Sequence, residues 1–404
     1  MNWLKPDRRT LLRGMAALPG IGVLMPATAS AAAARLSGKN RDVISELRIR
    51  SFINAAGTYT SLTASMMPRP VWDAMTVAST KFCPLQDLHD AVGKRIAELT
   101  KAEAALVSAG AASALAIGTA GVLAGTDREK IQQLPDTRGM KNEVIVQKSH
   151  RNGYDHAVRN AGIRMVEVET AAELESAIHS RTAMMFFLQA ANNRGQIGYE
   201  EFAKLGKKHN IPTMIDAAAD VPPVSNLWRF QQAGFDLVIF SGGKGIKGPQ
   251  SAGLLLGRKD LIEAGRMNSS PNSNSLGRIS KVNKEELVGM MVAVEMFVNR
   301  DHEATWKDWE NQCNRIAGFT KGVPGIKSEI KVPELANMVP HLHLDWDHAA
   351  VGKTPGDVVK ELREGTPSIE VRPGSAKNFV IAVWMLEPGE YRTVGRRLGQ
   401  VLKG

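Results

Sequence analysis

The 404 residues include only two cysteines, Cys83 and Cys313. Two thiols cannot make the disulfide framework of a small secreted scaffold. A chain of this length can bury enough apolar surface to fold without one. Cysteine and histidine nowhere take the spacing of a metal site. His341-Leu342-His343 comes nearest, and it alternates within a strand-like run. No basic stretch is interleaved with aromatic residues, so a net charge of +10 comes without the usual companion of nucleic-acid binding. There is no internal repeat. What remains is the composition of an ordinary globular protein, 43% hydrophobic and 23% charged, long enough for one large and one small domain.

The first residues have an order of their own. Asp7-Arg8-Arg9-Thr10-Leu11-Leu12-Arg13 precedes a mildly apolar run, Gly14 to Pro26, and then Ala27-Thr28-Ala29-Ser30-Ala31-Ala32-Ala33. Charge, apolar run and small residues in that order predict a secretory signal over 1–33, and the paired arginines point to the twin-arginine route and the periplasm. The apolar run is too short and too broken by glycine and proline to span a bilayer. Cleavage near Ala31 would leave a net charge of +7. The expected division is the leader 1–33, an N-terminal arm 34–60, a large domain 61–285, and a connecting helix with a small C-terminal α+β domain over 286–404.

Through the middle of the chain, helical and strand patterns alternate. Strands are expected at 104–107, 143–147, 164–168, 183–188, 213–215 and 237–240. Helices are expected at 71–78, 88–99, 111–124, 171–179, 199–209 and 285–299. Such alternation predicts an α/β fold with a mostly parallel sheet covered on both faces. The small domain is read as strands at 341–346 and 379–384 and a helix at 355–363. The Ser/Asn/Pro/Gly-rich stretch Ser269 to Gly277 is the segment expected to be mobile.

The chemistry concentrates in Ser241-Gly242-Gly243-Lys244-Gly245-Ile246-Lys247-Gly248-Pro249-Gln250. Apolar runs, Phe235 to Phe240 and Ala252 to Leu256, enter and leave it. A lysine on a glycine turn between two buried strands is where a Schiff-base lysine belongs, because its amine must lose its proton and reach a carbonyl carbon. A Gly-rich β-turn with two surface lysines fits the same letters. Upstream, Ile211 to Ile215 reads as a buried strand ending in Asp216. A carboxylate there can pair with a protonated pyridine nitrogen and make pyridoxal phosphate an electron sink; it can also be a helix N-cap. Together, Asp216 and Lys244 favour the cofactor.

This segment resembles the lysine segment of the selenocysteine synthase family, the L-seryl-tRNA(Sec) selenium transferases. It is more similar still to the relatives grouped with D-glucosaminate-6-phosphate ammonia lyase. The resemblance extends through Ile53 to Thr60, Ala104 to Ala112, Leu134 to Thr137, His150 to His156 and Gly277 to Val282, over roughly residues 45 to 400. It implies fold type I of the pyridoxal-phosphate enzymes, a homodimer or higher oligomer, and a small amino substrate. It implies α-proton abstraction by Lys244 and β-elimination from an amino acid or amino sugar acid. Selenium transfer to seryl-tRNA is an alternative that export argues against. A pyridoxal-phosphate-binding protein with little catalysis is another. Relatives often carry an acidic residue just before the lysine, where this chain has Gly243.

Other residues suit the same chemistry, and each also admits a plainer reading. Ser108, Gly110 and Ala111 lie between a strand and a helix, where bare N–H groups cradle phosphate or where small residues only allow tight packing. Ser241 would add a hydroxyl to the phosphate. By the resemblance His150 stacks on the cofactor ring, and otherwise it is a loop histidine. Gln189 would hydrogen-bond the ring hydroxyl, or is a turn residue. Arg372 would hold the substrate carboxylate bidentately, or is a surface arginine. Arg278, with Lys281 and Lys284, would bind a substrate anion or a partner subunit's cofactor phosphate, or is a solvated helix start. No metal is expected.

Overall fold

The computed structural model describes residues 41–372 and 379–404. The signal-peptide reading over 1–33 therefore lies outside the described residues. The chain divides into two units, Met1–Ser51 and Phe52–Gly404. The described part of the first is a one-turn helix, Val43–Glu46, capped by Asp42, whose carboxylate accepts from the Ser45 N–H at 3.1 Å.

Seven strands make the main sheet of the second unit: β2 (Ala104–Ser108), β3 (Glu143–Gln147), β4 (Arg164–Val168), β5 (Thr182–Leu188), β6 (Thr213–Asp216), β7 (Leu237–Ser241) and β8 (Gly253–Gly257). Their order is β2-β8-β7-β6-β5-β3-β4. All neighbours are parallel except β8, which runs against both β2 and β7. The strands are continuous apolar runs because both faces are buried. Alternate residues divide between two cores. Ile145, Met185, Phe187, Ile215, Val238 and Phe240 face helices Arg69–Ser79, Leu85–Thr100 and Lys284–Val298. Val144, Met184, Phe186, Met214, Leu237 and Ile239 face helices Gly110–Ala124 and Lys259–Met267. This is the mostly parallel α/β architecture that the alternation predicts.

A third core surrounds a three-stranded antiparallel sheet, β12-β10-β9, of β9 (Lys327–Lys331), β10 (His341–Asp345) and β12 (Phe379–Ala382). Helices His302–Phe319, Pro355–Glu364 and Glu390–Lys403 contribute to it. β1 (Ile53–Ala55) pairs in parallel with β11 (Ile369–Val371), so the start of this unit is stitched to residues more than three hundred positions later.

The segment expected to be mobile is tied down. Ser269 bridges Gly277, the Arg266 guanidinium donates to the Ser270 carbonyl at 2.6 Å, and the Asn272 amide donates to the carbonyls of Arg266 and Ser269. Asn268, Ser269 and Ser270 are buried. The turn-forming residues make a loop, and their side chains satisfy its backbone locally and fix it.

Candidate active site

Parallel register brings the working ends of three strands together: Leu188 lies opposite Asp216, and Asp216 opposite Ile239. Gln189, Asp216 and Ser241 thus stand at one edge of the sheet, where open α/β sheets bind ligands. The turn from β7 to β8 folds over that edge. Gly242 N–H donates to Ala252 O at 2.8 Å, Gly248 N–H to Gly242 O at 2.8 Å, and Lys247 N–H to Lys244 O at 3.0 Å. Ser65 Oγ pins the turn from outside by donating to Gly243 O at 2.7 Å. A Cβ on Gly243 would stand 2.5 Å from Gln250 Cα, so the acidic residue of many relatives has no room here.

Lys244 is largely buried, and burial pushes its pKa down, against the pull of Asp216 and Asp220. Burial raises Asp216; its Oδ1 accepts from the Ala218 N–H at 3.0 Å, and Lys244 pulls the other way. Asp220 is pushed up to about 7 by burial, opposed by the Ala336 N–H it accepts at 3.1 Å and raised further by Asp216. Two carboxylates therefore face one amine in a site of low polarity, where each charge state depends on the others. Asp216 and Lys244 come together as the sequence reading required. Asp220 was missed, although the run Asp216-Ala217-Ala218-Ala219-Asp220 was a usable signal: a second acid four residues beyond the strand end.

Lys244 opens on a cavity of about 210 Å³ walled by Gly57, Thr58, Tyr154, His341, Arg372 and Trp384, among others. Ile53 to Thr60 builds one wall. Asn54 Oδ1 accepts the N–H groups of Ala56 and Gly57 at 3.1 Å each, which turns the chain inward. Arg372 reaches the cavity because it leaves β11 and bridges Val380 of β12. The strand expected over 379–384 stops at Ala382, and Trp384, just beyond it, is the wall residue. His341 is held by its contact to the Val339 carbonyl at 2.8 Å, and burial lowers its pKa to about 4, so it is neutral.

The residues of the expected phosphate cradle, Ser108, Gly110 and Ala111, lie where β2 meets helix Gly110–Ala124, outside the lining of the Lys244 cavity. Helix Gly110–Ala124 begins with no side-chain cap, leaving its first N–H groups without side-chain acceptors. Ser108 Oγ donates to Gly110 O at 3.0 Å, and the buried Ser113 hydroxyl has no partner. Gln189 is buried with its Oε1 unpaired. Buried polar atoms without partners, Gln189 at the sheet edge beside Asp216 and Ser113 in the first turn of the helix, fit pyridoxal phosphate.

His150 is placed differently from the stacking expectation. It is wholly buried, edge-on to Phe187 at 4.4 Å, with Nδ1 accepting the Leu188 N–H at 3.2 Å. Burial lowers its pKa to about 4. It is not among the residues lining the Lys244 cavity. Nor is Arg278; neighbouring Lys281 is exposed, and Lys284 pairs with Glu285.

Fold and site together define a pyridoxal-phosphate enzyme of fold type I. Residues 85–307 match the L-seryl-tRNA selenium transferase family, and the chain belongs to that family, whose members are enzymes using this cofactor. It is 29% identical over 388 residues to a Streptomyces 5'-C-glycyluridine monooxygenase-decarboxylase, covering 91% of this chain and 94% of that one. It is 27% identical over 342 residues to D-glucosaminate-6-phosphate ammonia lyase of Salmonella typhimurium, covering 82% and 89%. A solved D-glucosaminate-6-phosphate ammonia-lyase superposes with a TM-score of 0.79 at 25% identity, over 90% of this chain and 99% of that chain.

Proposed function

We propose that the protein is a pyridoxal-phosphate-dependent lyase that takes the α-proton from an amino acid or amino sugar acid and expels a β-leaving group. The observation that carries this reading is the meeting of Lys244 with Asp216 at the sheet edge, under a cavity that also holds Arg372. Lys244, Asp216, Gln189, Ser241 and the start of helix Gly110–Ala124 would hold the cofactor, which supplies an electron sink for the α-carbon. Arg372 binds the substrate carboxylate. Lys244 Nζ, its pKa lowered by burial, takes the α-proton. Asp216 would hold a proton at the cofactor's ring nitrogen by its charge. His341 and Trp384 restrict water at the reacting carbon.

The relatives' names span elimination and oxidative decarboxylation, so the test must separate them. A screen of amino acids and amino sugar acids, reading ammonia, 2-keto acid and carbon dioxide, is expected to give ammonia and keto acid. Carbon dioxide release without a keto acid would replace the lyase reading with decarboxylation.

Two finer points belong to the same proposal. Exposed Met66, Phe82 and Ile279 support assembly into a homodimer or higher homo-oligomer. The paired arginines Arg8 and Arg9 ahead of the alanine-rich stretch support export to the periplasm. The mature N-terminus should then fall between about Ala29 and Arg35, and Arg8→Lys with Arg9→Lys should hold the precursor in the cytoplasm. Accumulation of soluble, full-length chain in wild-type cells would refute export.

A further inference from the structure

The turn that carries Lys244 also carries Lys247, which lines a different cavity of about 710 Å³. Trp384 is the residue the two cavities share. The larger cavity is walled by Trp72, Trp309, Trp384 and Tyr391, and Arg300 joins Lys247 in it. Arg300 follows helix Lys284–Val298, with its guanidinium carbon 5.2 Å from the Phe297 ring.

Neither cation makes a side-chain hydrogen bond or an ion pair with a described residue, and both are partly buried. Burial lowers both pKa values, and Arg300 pushes Lys247 down further. Asp308 and Glu387 are the acids of the wall, and neither pairs with these cations; Glu387 raises Lys247 by less than burial and Arg300 lower it. Arg69 is already held by Asp73 at 2.9 Å. The buried indole N–H of Trp384 also has no acceptor, but it lies against Gly57, on the side of the Lys244 cavity. Partly desolvated charges of one sign are costly unless an anion neutralises them.

We infer that the Lys247–Arg300 cavity is a second ligand site, separate from that of Lys244, and that it takes a phosphate group. A guanidinium meets phosphate oxygens in parallel pairs, and an ammonium adds a point charge. The aromatic walls have room for an organic body attached to that phosphate.

The test uses inorganic phosphate and phenyl phosphate, with chloride and phenol as controls. They are titrated into the protein saturated with pyridoxal phosphate, so that the cradle at Gly110 is filled. Quenching of the tryptophan fluorescence and calorimetry read the binding. Saturable phosphate binding is expected, at least 10-fold weaker in Lys247→Gln and in Arg300→Gln, and partly kept in Arg300→Lys. Thermal melts confirm folding, and Lys247→Gln decides the matter if Arg300→Gln does not fold. Tighter binding of phenyl phosphate than of phosphate assigns the site to phosphate esters, and equal binding assigns it to the free ion. No saturable phosphate binding to wild type, or unchanged affinity in Lys247→Gln with Arg300→Gln, overturns the inference. If the protein takes up no pyridoxal phosphate, the cofactor reading fails, while the Lys247 and Arg300 variants still decide this one.

Discussion

Lys244 and Lys247 stand three residues apart on one turn, and burial lowers the pKa of both. Their surroundings part them. Lys244 faces two carboxylates, Asp216 and Asp220, whereas Lys247 faces the guanidinium of Arg300. An amine in the field of two acids has counter-charge near it. An amine beside another cation is left wanting an anion. Residue type is the same and the turn is shared; what packs opposite decides which is chemical and which is electrostatic.

The largest effect is expected when each lysine is removed in turn. Lys244→Ala should abolish covalent, borohydride-reducible attachment of pyridoxal phosphate, and Lys247→Ala should leave it at position 244. Peptide mapping after reduction checks this, and label on Lys247 in the Lys244→Ala protein would reverse the assignment.

Asp216→Asn sharpens the acidic side. In a site walled by Met214, Ile215 and Ala217 a charge contact is strong. Losing a few kcal/mol of stabilisation slows α-proton exchange roughly 100-fold or more. Deuterium wash-in at the substrate α-carbon measures it. Exchange at the wild-type rate would leave Asp216 as a cap on the Ala218 N–H.

Gly243→Ala tests the shape of the turn both lysines share. A Cβ 2.5 Å from Gln250 Cα forces backbone movement, expected to destabilise the fold by about 1–3 kcal/mol. Denaturant unfolding reads this, and an unchanged midpoint would show that the turn has slack.

The smallest effect concerns Asp220. Its folded pKa, about 7, exceeds its ordinary 3.8. Folded chain therefore holds the extra proton between those values, and stability declines as pH rises through 7. Without cofactor, wild type should lose more melting temperature between pH 5 and pH 8 than Asp220→Asn does, by on the order of 2 °C. Parallel melting curves for the two proteins would show that Asp220 does not carry the proton.

Much of this was legible in the chain itself. Apolar runs such as Ala183 to Phe187 are complete strands because both faces of a parallel sheet are covered, and their period needs no partner to be read. Asp216 and Lys244 were legible because each closes such a run. Asn54 was not: its role is an acceptor for Ala56 and Gly57, and one asparagine in a loop carries no period. Helix His302–Phe319 escaped because its apolar stripe is thin, with Trp309, Cys313 and Ile316 as its buried residues.

The sequence by itself determined the strands, their buried faces, the glycine turn and the acid–lysine pair, since local period and backbone chemistry act over a few residues. Tertiary structure alone decided the rest. It set Asp220 beside Lys244, turned His150 into the core, carried Arg372 and Trp384 to the cavity from the far end of the chain, and left Arg300 facing Lys247. These depend on distance between segments remote in sequence, and burial and charge take their values only once those distances are fixed.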